Sequence, residues 1–206
     1  MYIPKAFRED DLEKLHKLMQ EYSFAALVTQ QDGVPVATHL PFLLDMERGQ
    51  YGTLMAHMAR ANPQWRTFNS GQEALVIFQG PHAYISPSWY EVELSVPTWN
   101  YAAVHAYGVP RIIDDKATLY DLLKALIERH EAQFEKPWDF QLPEDYLQKM
   151  MQGTVGFEIE ITRLEGKFKM SQNRSASEQQ RVIAALRESQ DVSNVQVAEL
   201  MSEIFG

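Results

Sequence analysis

The sequence predicts a mainly β, α+β fold: a small antiparallel β-barrel with flanking helices and a C-terminal helical extension. Three observations carry this expectation. Six or more strand-like segments recur at short spacing, mostly joined by hairpin signals. A long amphipathic helix interrupts them, and after residue 174 the text changes to two further amphipathic helices. Residues 1–174 are therefore expected to form the barrel domain, and residues 175–206 an extension packed on it.

The elements follow in order. Asp10 or Asp11 can cap a helix from Asp11 to about Tyr22, where Leu12, Leu15 and Met19 recur at helical spacing. Phe24–Thr29 and Val34–Leu40 read as strands across Asp32-Gly33, a strong hairpin signal, and Pro41 suits a strand end. Glu47-Arg48-Gly49 turns the chain into a strand from Tyr51 to His57. Asn62-Pro63 opens a short helix that Gly71 stops. The apolar run Ala74–Phe78 reads as a strand buried on both faces, broken by Gly80-Pro81, with a further short strand from His82 to Ile85. Ser86-Pro87-Ser88 is read as loop, and Glu91–Ser95 as a mobile polar excursion. Val96–Ile113 reads as a long bent strand, interrupted by Gly108 and Pro110.

Lys116–Phe134 carries Leu119, Leu122, Leu123, Leu126, Ile127 and His130 on one helical face, with His130 expected in the core or at its boundary. A short helix follows Pro143. Val155, Phe157, Ile159 and Ile161 then alternate with polar residues, as in a half-buried strand. The apolar phase slips to Phe168 and Met170, and Glu165-Gly166 is the expected turn or bulge. Ser175 with Glu178 forms a capping-box pattern opening a helix through Val182, Ile183 and Leu186, and a second helix runs from about Val195 to Ile204.

Composition narrows the chemistry. The 206 residues contain no cysteine, which excludes disulfides, thiolate catalysis and Cys-ligated metals, and fits a reducing cytoplasm. The longest apolar runs, such as Phe24–Val28, are far short of the ~20 residues of a membrane span. The start shows no apolar signal-peptide core, so a cytoplasmic protein away from membranes is expected. With 19 basic and 28 acidic residues the net charge is −9, which repels nucleic-acid phosphate unless basic residues gather locally. The terminal helix pair does not gather them: Arg181 and Arg187 stand against five carboxylates, so direct DNA contact is doubtful. There is no GxGxxG, Walker loop or GxSxG. The six histidines show no metal-ligand spacing and no metal site is expected, although His39, His57 and His82 each end strand-like text and could approach one another.

Four polar clusters sit at strand ends or in loops: Thr38-His39-Leu40-Pro41, the stretch from His57 to Pro63, Pro97–Tyr101, and Lys167–Arg174. In the second, Arg60 precedes a helix start whose free N–H groups favour an anion. The alternative is a plain cap and a solvated arginine. In the fourth, four basic residues face one acidic between Arg163 and Arg174, and Lys167, Lys169 and Ser171 share one strand face suited to a phosphate. The alternative is a charged edge strand that blocks sheet-to-sheet pairing. Trp99 offers a flat ring and Asn100 an amide that could read a heterocycle, with core packing the competing role for Trp99.

The segments MYIPKAF, ATHLPF, HMARANPQW, FQGPHAYISPSWY, VPTWNYAAVHAYG and GFEIEITRLEGKFKMSQNR, in this order and spacing, resemble the PaiB family of FMN-binding negative transcriptional regulators from Met1 to about Met201. The resemblance implies a split β-barrel of the pyridoxamine phosphate oxidase type, homodimeric, with FMN at the subunit interface. It implies Arg60 as a phosphate ligand with His57, Ala59 and Asn62 beside it, and Thr38, His39, Leu40 and Pro41 lining the isoalloxazine. Trp99, Asn100, Lys167, Lys169, Gln172 and Asn173 lie in the remaining family signatures. The C-terminal arginine pattern that binds substrate in the oxidases is not recognisable, so pyridoxamine phosphate oxidation is not carried over. The expected function is a homodimeric FMN-binding protein with an indirect negative regulatory role, the flavin being a sensed ligand or redox group. The alternatives are an FMN-dependent oxidoreductase of a small molecule and a haem-binding or haem-degrading split-barrel protein.

Overall fold

Asp32 and Gly33 take φ of 52° and 79°, the left-handed pair that a two-residue hairpin needs. They join β2 (Phe24–Gln31) to β3 (Val34–Pro41), which pair from Gln31↔Val34 to Phe24↔Pro41. The structure, a computed structural model, describes residues 1–205, so residue 206 of the expected extension lies outside the described residues. The other elements are β1 (Arg8–Glu9), α1 (Leu12–Glu21), β4 (Leu43–Asp45), β5 (Thr53–Ala59), β6 (Ala74–Ile85), β7 (Thr98–Gly108), β8 (Pro110–Ile112), α2 (Lys116–Glu131), α3 (Glu144–Gln152), β9 (Thr154–Glu160), β10 (Arg163–Lys169), α4 (Ala176–Arg187) and α5 (Val192–Phe205). Short 3₁₀ helices cover Lys5–Phe7, Pro63–Ser70 and Pro87–Tyr90.

The chain forms two compact units. Among the described residues one contains 1–15, 79–104 and 165–205, and the other 16–78 and 105–164. In the first unit the strand order is β1-β10-β7-β6, with β1 antiparallel to β10 through Arg8↔Lys167 and Glu9↔Gly166. Ile85, Val104, Phe168 and Met170 from the strands and Val182, Leu186, Val197 and Met201 from α4 and α5 are buried there. Ser175 caps α4 in a complete capping box with Glu178, as expected. Ser193 at the start of α5 ties to β6, accepting from the His82 N–H and donating to its carbonyl.

In the second unit, β6, β2 and β3 lie in that order, and a separate sheet runs β4-β5-β9-β8. The resolved pairs β2–β6, β4–β5, β5–β9 and β8–β9 are antiparallel. Phe42 packs edge-on against Phe78 and Phe157, with centroids 5.9 and 6.2 Å apart, and Phe68 meets Phe157 at 4.8 Å. Leu122 and Leu126 of α2 pack with Leu43, Met55 and Ile113.

Several expectations need correction. β6 is one 12-residue strand running straight through Gly80-Pro81, because proline removes one donor without ending a strand whose other groups still pair. Its burial alternates, so it is not buried on both faces. The bend at Gly108 does more than interrupt one strand: β8 pairs with β9, Pro110 opposite Ile159. A Cβ on Gly108 would sit 2.2 Å from the Glu160 carbonyl oxygen, so only glycine allows that approach. The phase slip lies at Ile161-Thr162, between β9 and β10, and Gly166 is inside β10. Ser86 caps a 3₁₀ turn rather than lying in plain loop. α2 stops at Glu131, and His130 is exposed, on the edge of the buried Leu119–Leu122–Leu126 stripe. β4 was not foreseen; three residues are too few to show a period.

Candidate functional site

The sequence-predicted residues fall into two clusters, one in each unit.

In the second unit, β5 ends at Ala59 and Arg60 follows. The Arg60 N–H donates to Gly153 O at 2.8 Å, Nε to Gln152 O at 2.8 Å and Nη2 to Thr154 O at 2.9 Å. Its carbonyl accepts from Trp65 Nε1 at 2.9 Å, and its guanidinium lies 5.8 Å from the Trp65 ring. Among the described residues no carboxylate pairs with it, and its positive charge is met by carbonyl dipoles and the Trp65 ring. Asn62 caps the Pro63–Ser70 helix, its Oδ1 accepting from Gln64 N at 3.0 Å, while its Nδ2 donates to Thr38 Oγ1 at 3.0 Å. Thr38 in turn donates to Gln64 Oε1. This network brings Thr38 of β3 against the helix start. Beyond it on β3, His39 is exposed and stacks on Phe24 (6.1 Å, 26°), Leu40 is buried and Pro41 half-buried.

Gln64, which the sequence reading passed over, holds this network together. Its side chain is fully buried, and Nε2 donates toward Leu27 O, Thr29 Oγ1 and Val36 O at 3.1–3.2 Å. The signal was present in its position two residues after a capping Asn, where its own N–H receives the cap.

His57 of β5 lies opposite Gly156, and its Nδ1 is buried without a hydrogen-bond partner among the described residues. Burial pushes its imidazole below the ordinary 6.5. A base with a depressed folded-state pKa leaves stability intact above its unfolded value. That stability is lost as pH falls from there through the folded value, because the unfolded chain takes the proton first. His57→Gln should therefore flatten the acid limb of stability, read as a smaller drop in thermal midpoint from neutral pH to about pH 5. An unchanged acid limb would assign that loss to other groups.

In the first unit, Lys167 and Lys169 lie on β10, between β1 and β7; β1 pairs with it at Gly166 and Lys167, so Lys167 is not an edge residue, while Lys169 lies beyond that pairing. Lys167 is 9% exposed; its amine donates to Tyr2 O at 3.1 Å and lies 5.2 Å from the Tyr101 ring. Lys169 Nζ donates to Thr98 Oγ1 and, at 2.6 Å, to Trp99 O, with the Phe7 ring 5.7 Å away. No carboxylate pairs with either amine among the described residues. Burial first, then the neighbouring charges of Lys167 and Arg174, push the Lys169 pKa below its ordinary value. Arg174 sits 4.0 Å over the Tyr90 ring and is paired with Glu178 at 3.3 Å.

Trp99 is 52% exposed, so core packing is not its role. Its ring lies 6.1 Å from His82 and 6.0 Å from Tyr84, an outward aromatic platform whose second and third members lie on β6 and were not anticipated. Asn100 is buried, its Nδ2 donating to Ser171 Oγ at 2.9 Å and toward Met201 Sδ. Ser171 takes a φ of 66°, and Gln179 Nε2 donates to its carbonyl at 3.1 Å. Gln172 closes the same turn, its Oε1 accepting from Met170 N at 2.7 Å and its Nε2 donating to Phe168 O. Asn173 is exposed. Arg60 in one cluster and Lys167 and Lys169 in the other are thus held cations without a carboxylate partner among the described residues, an arrangement that fits an anionic phosphate, and the first unit adds a flat aromatic face.

Comparisons with known proteins point to a flavin cofactor. Residues 1–163 match the family model described as "Putative FMN-binding domain". The chain is 41% identical over 205 residues to the "Protease synthase and sporulation protein PAI 2" of Bacillus subtilis, covering 98% of this chain and 97% of that one. Among solved structures, the FAD and heme binding protein of Mycobacterium smegmatis superposes with a TM-score of 0.61 at 20% identity, covering 86% of this chain and 79% of that one. The flavocytochrome Anf3 of Azotobacter vinelandii gives 0.58 at 14% identity, covering 81% and 72%. The fold is the split β-barrel with flanking helices that the sequence predicts.

Proposed function

The chain belongs to the FMN-binding family whose model it matches, and on that premise we propose that it is a homodimeric flavoprotein with a negative regulatory role in transcription, exerted indirectly. The observation that carries the reading is that Arg60 in one cluster and Lys167 and Lys169 in the other have no carboxylate partner among the described residues. We place the two clusters on opposite protomers, so that neither holds the cofactor without the other. Arg60 and the Asn62-capped helix start grip the FMN phosphate, with a lysine of β10 as the second cation. Thr38, His39, Leu40 and Pro41 line the ring from β3, beside His57 and Ala59. Trp99, flanked by His82 and Tyr84, supplies the stacking face. Asn100, Gln172 and Asn173 shape the turn that aims Lys169. The terminal helices are an extension packed on the barrel.

Bound flavin would supply the redox chemistry, and the chain's own groups bind it, orient it and exclude water. Among the described residues no helix is long and apolar enough to cross a membrane.

The absorption spectrum of the concentrated protein, purified without added cofactor and then after FMN addition and gel filtration, tests the reading. A retained flavin band near one per chain is expected. A Soret band with no flavin retention would replace FMN by haem, and no retained chromophore would refute the flavoprotein reading.

A further inference from the structure

A cavity of 790 Å³ opens in the second unit, between β8, β9, α2 and α3. That volume is in the range of sites for small organic molecules. Its walls are largely apolar: Ile112, Ile113 and Val155 come from the strand side, and Leu119, Leu147 and Met151 from the helices. Arg60 and Trp65 also line it. Arg60 reaches the end marked by Gln152 and Thr154, the C-terminal end of α3 and the first residue of β9. Its Nε and Nη2 are fixed by carbonyls, and its Nη1 has no hydrogen-bond partner among the described residues. Glu144 also lines the cavity, from the N-terminal end of the nine-residue α3, its backbone roughly 12 Å along the helix axis from that of Gln152 at 1.5 Å per residue. The cavity thus offers an oriented cation beside an indole face where Arg60 and Trp65 line it, apolar walls, and further charges from Asp114 and Lys116 before and at the start of α2 and from Glu144 at the start of α3.

We propose that this cavity binds an amphipathic organic anion with an aromatic or branched apolar body, its acidic headgroup meeting Arg60. The same guanidinium is assigned to the flavin phosphate, so on that reading the two ligands oppose each other. Occupancy of the cavity lowers FMN affinity and FMN lowers affinity for the anion by the same factor. A chain whose flavin content answers to a second small molecule would have the input a regulator needs.

The experiment titrates the full chain with anilinonaphthalene sulfonate and with its uncharged counterpart phenylnaphthylamine, followed by fluorescence, alone and with saturating FMN or riboflavin. One sulfonate probe per chain is expected. Arg60→Gln should weaken the sulfonate by about tenfold or more, since a charge-assisted hydrogen bond is lost, and leave the uncharged probe in place. The double substitution Ala117→Trp, Leu147→Trp fills the cavity from α2 and α3 without touching Arg60; it should weaken both probes and preserve FMN binding. FMN should displace the sulfonate and riboflavin should not. Unchanged binding of both probes to the filled variant would overturn the site, and independent binding of FMN and sulfonate would overturn the competition. If FMN fails to bind at all, the flavin reading falls with the competition, and the filled variant still decides the cavity.

Discussion

Gln64→Leu is expected to destabilise the chain by about 3 kcal/mol or more, seen as a lower urea midpoint with an unchanged slope. The side chains are close in size, so the loss is one of hydrogen bonds rather than volume. The native amide donates toward Leu27 O, Thr29 Oγ1 and Val36 O and accepts from Thr38. Leucine leaves these groups facing hydrocarbon in a fully buried site, and each orphaned group costs about 1–3 kcal/mol. The two carbonyls keep a second lone pair, which holds the sum toward the lower end. Because the network also seats Thr38 against Asn62, flavin affinity should fall in the same variant. A change under about 1 kcal/mol would mean that the network is not the internal brace described here.

Lys169→Met is expected to weaken FMN binding and to change how stability depends on pH. The folded-state pKa of Lys169 is depressed, by burial first and then by Lys167 and Arg174. For such a base the folding penalty is in full force below the folded value. It is relieved as pH rises toward the unfolded 10.5, because in that interval the unfolded chain holds more protons. Methionine keeps most of the stem that lies near Phe7 and removes the charge. The substitution also removes the bonds to Thr98 Oγ1 and Trp99 O, a loss independent of pH; the pH-dependent part is that the parent should gain on the flavin-free variant as pH rises toward 10.5. FMN binding should weaken by about tenfold or more, as for loss of one charge-assisted contact. Calorimetric melts and FMN titrations of both proteins check this. A lower melting point with unchanged FMN affinity would make Lys169 a structural residue only.

What could be read from the sequence was local. The Asp32-Gly33 hairpin, the Ser175–Glu178 capping box, the Asn62 cap with Gly71 at its helix end, and the alternation from Val155 to Ile161 each depend on a few neighbouring residues. Pairing over distance was not legible. Lys167 looked like an edge charge because nothing near it in sequence says that β1 pairs there, from Arg8 and Glu9 at the start of the chain. The same limit hid β8 in the sheet with β9, where the close approach of Gly108 to Glu160 spans 52 positions in sequence. At the candidate site, Arg60 could be named from its place before Asn62-Pro63, but not its clamp on Gln152 and Thr154. Trp99 could be named and its exposure could not, since that depends on which face of β7 the α4–α5 pair leaves open.

The most direct test of the central claim, that cationic residues of this chain hold the flavin by its phosphate, is a calorimetric comparison of FMN with riboflavin on the parent and on Arg60→Gln. FMN should bind the parent at least about tenfold more tightly than riboflavin, and Arg60→Gln should remove most of that preference while riboflavin binding stays level. Equal affinities for the two flavins on the parent, or equal losses of both in the variant, would contradict it.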